Sequence, residues 1–167
     1  LVDAGCRGRR VDIARTCRNL GGALTSCGEF DAAIESFRRA LDIYADEIAR
    51  ARRTENGAAR LLASQAGTRM NLGYTLFRAA QYDRAGAMFR LALRDYKDIT
   101  AEAPHLHDDE ARTWVNQAHL LHRQGRLDAA RRGYQRAAKT FTQLIAQGRG
   151  HLKADQANAQ LGLARVL

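Results

Sequence analysis

The strongest constraint on the fold is an internal repeat, because one pattern of side chains recurs three times along the 167 residues. We count each copy from a central small residue, which is Gly21, Gly73 or Ala118. The copies agree at six offsets: alanine at −7, asparagine at −2, leucine at +3, alanine at +12, an aromatic residue at +16 and alanine at +19. Agreement at so many offsets predicts a stack of similar structural units rather than one compact domain.

The copies differ in length, and a fourth one is incomplete. It begins with Ala157 and Leu163-Ala164 and stops at Leu167. The central residues stand at 21, 73, 118 and 164, so the first interval is the longest, by about two helical turns. We place the insertion around 52–63, where it lengthens a helix and keeps its buried face in phase. The predicted boundaries follow: a basic N-terminal lead-in at 1–10, repeats at 11–57, 58–107 and 108–150, and a partial repeat at 151–167.

Apolar residues three and four positions apart predict two helices in each copy, and therefore an all-α fold. The first helices are predicted at 11–27, 58–80, 109–124 and 151–167, and the second helices at 29–53, 82–102 and 127–147. Gly28 and Gly125 stand where the turn between two helices needs a permissive backbone. We expect Pro104 to end the second helix of the second repeat, and Asp108 or Asp109 to cap the next helix. Asp31 and Asp128 fall in the first turns of their helices, where a carboxylate suits the positive helix end.

Composition narrows the class of protein further. A single proline and 7% aromatic residues count against an all-β fold, and no apolar run approaches the length of a membrane-spanning helix. The three cysteines are an odd number, which favours a reduced, cytoplasmic protein. The chain opens on leucine and stops inside a helical pattern, so we interpret it as a piece of a longer protein.

The net charge of +9 comes from 27 basic and 18 acidic residues, and arginine supplies all but three of the cations. One interpretation is the arginine bias of a GC-rich, bacterial-type genome. The other is attraction of an acidic partner.

The repeated residues resemble a known family. Trp114-x-x-Gln117-Ala118-x-x-Leu121, followed by Ala130-x-x-x-Tyr134, is similar to the tetratricopeptide repeat (TPR) signature. Leu20-Gly21-x-x-Leu24 with Ala33-x-x-x-Phe37 resembles it too, as does Leu72-Gly73-x-x-Leu76 with Ala85-x-x-x-Phe89. The length of the repeats and the stretch from Ala103 to Asp108, before the first helix of the third repeat, resemble the kinesin-light-chain type of TPR more closely.

The resemblance implies a right-handed α-solenoid of antiparallel helix pairs, a TPR superhelix of about three and a half repeats. It also implies that the central small residue meets the +12 alanine, and that the +16 aromatic residue fills the groove toward the next repeat. The expected function is that of a non-enzymatic protein–protein interaction module, acting as an adaptor, a scaffold or a regulatory part of a larger protein.

In TPR families the first helices line the concave surface, and an asparagine at this offset forms a ladder that binds an extended peptide. The resemblance therefore implies a peptide-binding site built on Asn19, Asn71 and Asn116. Basic, aromatic and imidazole side chains flank them at helical spacing and are expected to hold an acidic peptide: Arg15, Arg18, Tyr74, Arg78, Arg112, His119 and Arg123. Two alternatives stay open, namely that the asparagines bond a neighbouring helix or loop, and that the basic residues form a solvated face.

Other functions remain possible at this point. A carboxylate clamp for a chaperone C-terminus would use Arg18, Asn71 and Arg112, but Gly22 and Asn116 depart from its pattern. Nucleic-acid binding through the arginine-rich face is a second possibility, although few aromatic residues are available for base stacking. The chain could also be the sensor or oligomerisation part of an enzyme whose catalytic domain lies outside it, and self-association through the open end of the solenoid is possible.

The sequence contains only weak candidates for metal-binding or catalytic residues. The stretch from His105 to Asp109, and the pair His119 and His122, could suggest a metal, but cap and surface roles explain them more simply. Cys17 lies near Arg15 and Arg18 in the sequence, yet without a base beside it we interpret it as a packing residue. We expect no catalytic residue, no cofactor, no metal and no membrane contact.

Overall fold

The computed structural model describes residues 2–53, 58–100 and 106–167, and within these ranges it contains seven α-helices and no strand. The helices are α1 (Val2–Cys27), α2 (Phe30–Arg53), α3 (Ala59–Arg78), α4 (Tyr82–Thr100), α5 (His107–Arg123), α6 (Leu127–Ala146) and α7 (Lys153–Ala164). A 3₁₀ turn at Gly150–Leu152 precedes α7. The predicted all-α fold of paired helices is confirmed. None of the helices in the described ranges is long and apolar enough to cross a membrane.

The helix boundaries agree with the predicted ones to within three residues, except at the start of α1. The predicted end of the fourth helix, at 102, lies outside the described residues. Helix α1 begins at Val2 rather than at residue 11. Arg10, in the predicted lead-in, anchors that part of the helix to α2 by donating to Asp46 at 2.7 Å and to Glu47 at 2.9 Å. The prediction that the helix starts at 11 is therefore wrong, because ion pairs with Asp46 and Glu47 of α2 hold the helix at Arg10.

Part of the extra length of the first repeat lies at the end of α2. This helix has 24 residues, whereas α4 has 19 and α6 has 20. The middle of the predicted insertion, 54–57, lies outside the described residues, as do Pro104 and His105. Leu106 precedes α5 without a side-chain cap, and Asp108 and Asp109 lie inside the first helical turn. The prediction that either aspartate caps α5 is wrong, because both carboxylates bind arginine side chains instead.

The turn inside each complete repeat has one conformation. Gly28 and Gly125 adopt φ angles of +83° and +72°, which confirms that these positions need a permissive backbone. Ala80 stands at the same offset in the second repeat and also has a positive φ, of 58°. The next backbone N–H closes the turn by donating five residues back: Glu29 to Leu24 at 2.9 Å, Gln81 to Leu76 at 2.8 Å and Arg126 to Leu121 at 2.9 Å.

The chain forms two compact units, Leu1–Asp95 and Tyr96–Leu167, which we call unit 1 and unit 2. In unit 1, α1 and α2 are antiparallel, since Gly21 faces Phe37 while Arg10, earlier in α1, reaches Glu47, later in α2. Their shared core contains Ala14, Ala40, Tyr44 and Ile48. The Glu47 side chain is fully buried, and its Oε1 also accepts from Arg50 at 3.0 Å.

The central glycines of unit 1 face the +16 aromatic rings of their own repeats. A Cβ at Gly21 would lie 2.9 Å from the Phe37 ring, and one at Gly73 would lie 2.7 Å from the Phe89 ring. The ring atoms are the nearest neighbours of each central glycine, ahead of the +12 alanine that the family resemblance implied there. The residue must be small because the aromatic ring occupies the space above it.

Unit 2 packs α5, α6 and α7 around one core. Its buried members include Ala111, Val115, Ala118, Ala130, Tyr134, Ala137, Phe141, Leu144, Leu152 and Ala159. Here the central residue is Ala118, and its methyl group meets Gly133 of α6. The Tyr134 ring lies instead against Gly162 of α7, where a Cβ would approach it to 2.3 Å. In this repeat the +16 ring does fill the space toward the next copy, as predicted.

Helix α7 leaves one apolar face open. At offsets −7 and 0 the three complete repeats bury Ala14, Ala66, Ala111 and their central small residues, whereas Ala157 and Ala164 are exposed. Leu161 lies beside them and is 52% exposed. The opposite face of α7 buries Ala159 and Gly162. The exposed face of α7 therefore corresponds to the side of the first helix that packs against the second helix in each complete repeat.

Candidate peptide-binding surface

Two first helices lie side by side in unit 1. Thr25 on α1 and Thr75 on α3 are buried, and their hydroxyl oxygens are 2.7 Å apart in a hydrogen bond. Each hydroxyl also lies within hydrogen-bonding distance of the carbonyl four residues back, Gly21 O at 2.7 Å and Asn71 O at 3.0 Å. We use the name first-helix wall for the surface of this helix pair that contains Arg15, Arg18, Asn19, Leu20, Asn71, Tyr74 and Arg78.

The predicted ladder asparagines present open amide groups. Asn19 is exposed on α1, and Asn71 is half-buried on α3, both in unit 1. Asn116 is half-buried on α5 in unit 2. None of the three side chains forms a hydrogen bond with another residue in the described ranges. The alternative that they bond a neighbouring helix or loop thus finds no support among those residues.

The basic residues of the wall in unit 1 differ in what they contact. Arg15 is paired with Asp12 on the same helix, at 2.7 Å. Arg18 is half-buried and forms no ion pair within the described part of the chain. Arg78 lies over the rings of Phe30 and Tyr74, with its guanidinium carbon 5.5 Å and 5.9 Å from the two centroids. Tyr74 is itself 41% exposed.

Arg112 in unit 2 is bound by the chain's own carboxylates. It donates to both oxygens of Asp155, at 3.0 Å and 3.3 Å, and to Asp109 at 3.2 Å, and Asp108 lies 3.7 Å away. The hydrogen bond to Asp155 is the main cause that raises the pKa of Arg112, in spite of its partial burial. Because its donors are occupied, Arg112 is poorly placed to hold a ligand carboxylate, and the proposed chaperone clamp loses one of its three residues.

His119 faces the core of unit 2 instead of forming part of a basic surface. Its ring lies 5.4 Å from the Tyr134 ring. Burial lowers the pKa of His119, and the positive charges of Arg165 and His122 lower it further. Burial also raises the pKa of Tyr134 to about 12. The lowered pKa favours the neutral imidazole, which packs against a ring rather than attracting an anion. Arg123, four residues further along α5, is exposed.

Sequence reasoning did not identify two apolar members of the wall region. Leu20 is 52% exposed on α1, although it belongs to the Leu-Gly motif and its counterpart Leu72 is 4% exposed. Phe30 begins α2, and its contact with Arg78 was not predicted. The only available signal was the position of Phe30 directly after the turn at Gly28, which brings it back toward the ends of the first helices.

The stretch suspected of binding a metal is engaged otherwise where it is described. Asp108 accepts from Arg149 at 3.4 Å, and Asp109 binds Arg112. Trp114 lies under the guanidinium of Arg136, whose carbon is 4.5 Å from the ring centroid, and donates to Glu110 at 3.3 Å.

Comparison with known families assigns the repeats. Three models of the tetratricopeptide repeat match consecutively, at residues 16–51, 65–99 and 111–141. The model matched by the second repeat is of the kinesin-light-chain-like type. No curated protein matches the chain significantly. The three matches together cover more than half of the chain and coincide with its three complete helix pairs. The chain belongs to the tetratricopeptide-repeat family.

Proposed function

We propose that unit 1 binds an extended, acidic peptide segment of a partner protein along the first-helix wall. Tetratricopeptide repeats are protein–protein interaction modules, so the coarse function follows from the family. The observation that carries the finer proposal is the pair of open amides, Asn19 and Asn71, at equivalent positions on neighbouring helices.

The physical argument concerns the cost of asparagine inside a helix. Each such residue costs roughly half a kcal/mol relative to alanine. A hydrogen bond inside the protein would offset that cost, but neither side chain makes one within the described residues. An amide offers both a donor and an acceptor. It therefore suits the backbone of an extended peptide, whose N–H and C=O groups need both.

Charge supports a ligand of negative sign. Arg18 and Arg78 carry no carboxylate partner within the described ranges, and both belong to the wall in unit 1. The exposed ring of Tyr74 and the exposed side chain of Leu20 add apolar area to the wall. In unit 2, Asn116 and Arg123 provide a second and independent set of the same kind.

We further propose an adaptor or scaffold role without catalysis, since the family is typically non-catalytic. Cys17 and Cys27 are free thiols, which suits a reducing compartment such as the cytoplasm. The open face of α7, with Leu161 at its centre, offers an apolar surface through which the chain could self-associate.

The test is a peptide array probed with the wild type and with the double variant Asn19→Ala/Asn71→Ala. We expect the double variant to lose at least about tenfold in affinity for the selected peptides, since each lost hydrogen bond is worth about 1 kcal/mol. Asn158→Ala, at an exposed position of α7, is the matched control and should bind like the wild type. Unchanged binding by the double variant would overturn the proposal.

The nucleic-acid alternative predicts different behaviour in the same assay. Binding would then fall steeply with salt and would not depend on the peptide. The contacts of Trp114 and Arg112 argue against it, because both side chains are occupied by partners inside unit 2.

A further inference from the structure

Three side chains of unit 1 meet where its two repeats adjoin. Arg78 is at the end of α3, Tyr74 precedes it by one helical turn, and Phe30 begins α2. The guanidinium carbon lies 5.5 Å from the centroid of Phe30 and 5.9 Å from that of Tyr74, within cation–π range of both rings. The side chain of Arg78 is therefore held by aromatic rings that come from two different repeats.

Rings hold an arginine without using its hydrogen-bond donors. A guanidinium has five N–H donors in its plane, arranged as a fork that matches a carboxylate. Arg78 is exposed and forms no ion pair or hydrogen bond with another residue of the described ranges. Its donors therefore remain open to solvent, while contact with two rings restricts the motion of the long side chain before any ligand binds.

Three other arginines of the first helices are already paired with carboxylates. Arg15 binds Asp12, Arg69 binds Asp95, and Arg112 binds Asp155. Among the described site residues, Arg78 is the arginine that combines a held position with unoccupied donors. Asn71, Tyr74 and Arg78 also share one face of α3, because they are spaced three and four residues apart.

We propose that Arg78, held by Phe30 and Tyr74, forms a subsite that binds the carboxylate of one aspartate or glutamate side chain of the peptide. This inference rests on the proposed function, because it names the residue type that the peptide must carry at one position. The carboxylate binds bidentately to the guanidinium of Arg78. The exposed Tyr74 ring flanks the aliphatic part of the peptide's aspartate or glutamate side chain. Binding the ligand in this way costs little ordering of the protein, since the rings have already restricted the arginine.

The experiment begins with a random dodecapeptide array, from which the best binder of the full chain is synthesised. Each of its acidic residues is then replaced in turn by the corresponding amide. With the wild type, we expect one such replacement to weaken binding by about tenfold or more, because a charge-assisted bidentate contact is lost. With Arg78→Ala, the same replacement should weaken binding by less than about twofold, because the partner of that carboxylate is gone.

Three further variants separate charge from geometry. Arg78→Lys keeps the charge but lacks the planar fork, so the amide effect should fall below about threefold. Phe30→Leu keeps every charge and should weaken the amide effect by about two- to fivefold, the contribution of one cation–π contact. Arg90→Ala removes an exposed arginine from α4 and should preserve the wild-type response. Circular dichroism melting checks that each variant folds.

The outcomes are distinct for the subsite and for the proposed function. If selected peptides bind but every amide replacement costs the same in Arg78→Ala as in the wild type, the subsite is wrong and peptide binding stands. If the array yields no binder of the wild type, both are wrong. A tenfold amide effect that disappears only in the variants of Arg78 and weakens in Phe30→Leu supports the subsite.

Discussion

At the scale of single residues, the turn at Ala80 is the least favourable backbone position among the residues that the structure describes. Its φ of 58° is a conformation that costs a residue with a Cβ roughly 1–2 kcal/mol, and glycine occupies the two equivalent turns. A Cβ at Gly28 or Gly125 would meet no atom within 4 Å, so the difference between these residues is purely conformational.

We therefore expect Ala80→Gly to stabilise the protein by about 0.5–1 kcal/mol, after the greater flexibility of glycine in the unfolded chain is subtracted. The reciprocal changes Gly28→Ala and Gly125→Ala should each lower the free energy of unfolding by about 1 kcal/mol. Urea denaturation measures all three. A destabilised Ala80→Gly variant would show that the turn is held by something other than backbone conformation.

His119 provides a second prediction at this scale, through its pKa. Burial lowers the pKa of the folded-state imidazole below the ordinary 6.5. As the pH falls through about 6.5 and below, the unfolded chain takes up a proton that the folded chain resists, so the folded state loses stability. We expect the melting temperature to fall between pH 7.5 and pH 5, and the fall to be smaller in His119→Gln. His151→Gln changes an exposed histidine of the same unit and should retain the wild-type pH dependence; equal pH profiles for all three proteins would contradict this account.

At the scale of the helix pair, the decisive feature is the contact between a glycine and a ring. Gly21 and Gly22 are neighbours on α1, yet only Gly21 has a ring above it: a Cβ there would lie 2.9 Å from Phe37, whereas one at Gly22 would meet nothing within 4 Å. The two positions have the same helical backbone and differ only in packing.

This pair makes a matched test. Gly22→Ala should raise the free energy of unfolding by about 0.5–1 kcal/mol, as expected for glycine replaced inside a helix. Gly21→Ala should lower it by about 1–3 kcal/mol, because the methyl group forces the Phe37 ring to move. Thermal and urea denaturation of the two variants give the comparison, and equal effects would mean that α1 and α2 separate easily enough to accept the methyl group.

At the scale of the whole molecule, periodicity and internal repetition predicted most of the fold. The offsets of Gly21, Gly73 and Ala118 fixed the helix pairs and located the turns, because each copy must solve the same packing problem. The conformation of Ala80 also followed in principle, since alignment of the copies sets it beside Gly28 and Gly125. The repeat pattern could not predict the features in which the copies differ, such as the packing of the Tyr134 ring against Gly162.

The candidate site was less predictable, for a physical reason. Sequence spacing assigned Arg15, Arg78 and Arg112 equal status as basic residues on first helices. Their availability depends on partners far away in sequence, such as Asp155 for Arg112 and Phe30 for Arg78. Those partners are set by helix crossing and side-chain rotamers, which spacing alone does not contain. The open amides of Asn19 and Asn71 follow from the same kind of information.

The open face of α7 bears on how unit 2 comes apart. In a stack where each element is held by its neighbours, stability is a sum of local terms, and the element with fewer contacts unfolds at lower free energy than the rest. On α7, Ala157, Leu161 and Ala164 are in solvent, while the opposite face buries Ala159 and Gly162. A ligand or helix that covers the exposed face of α7 would also stabilise the packing of Gly162 on Tyr134, and would act as a thermodynamic clamp on unit 2.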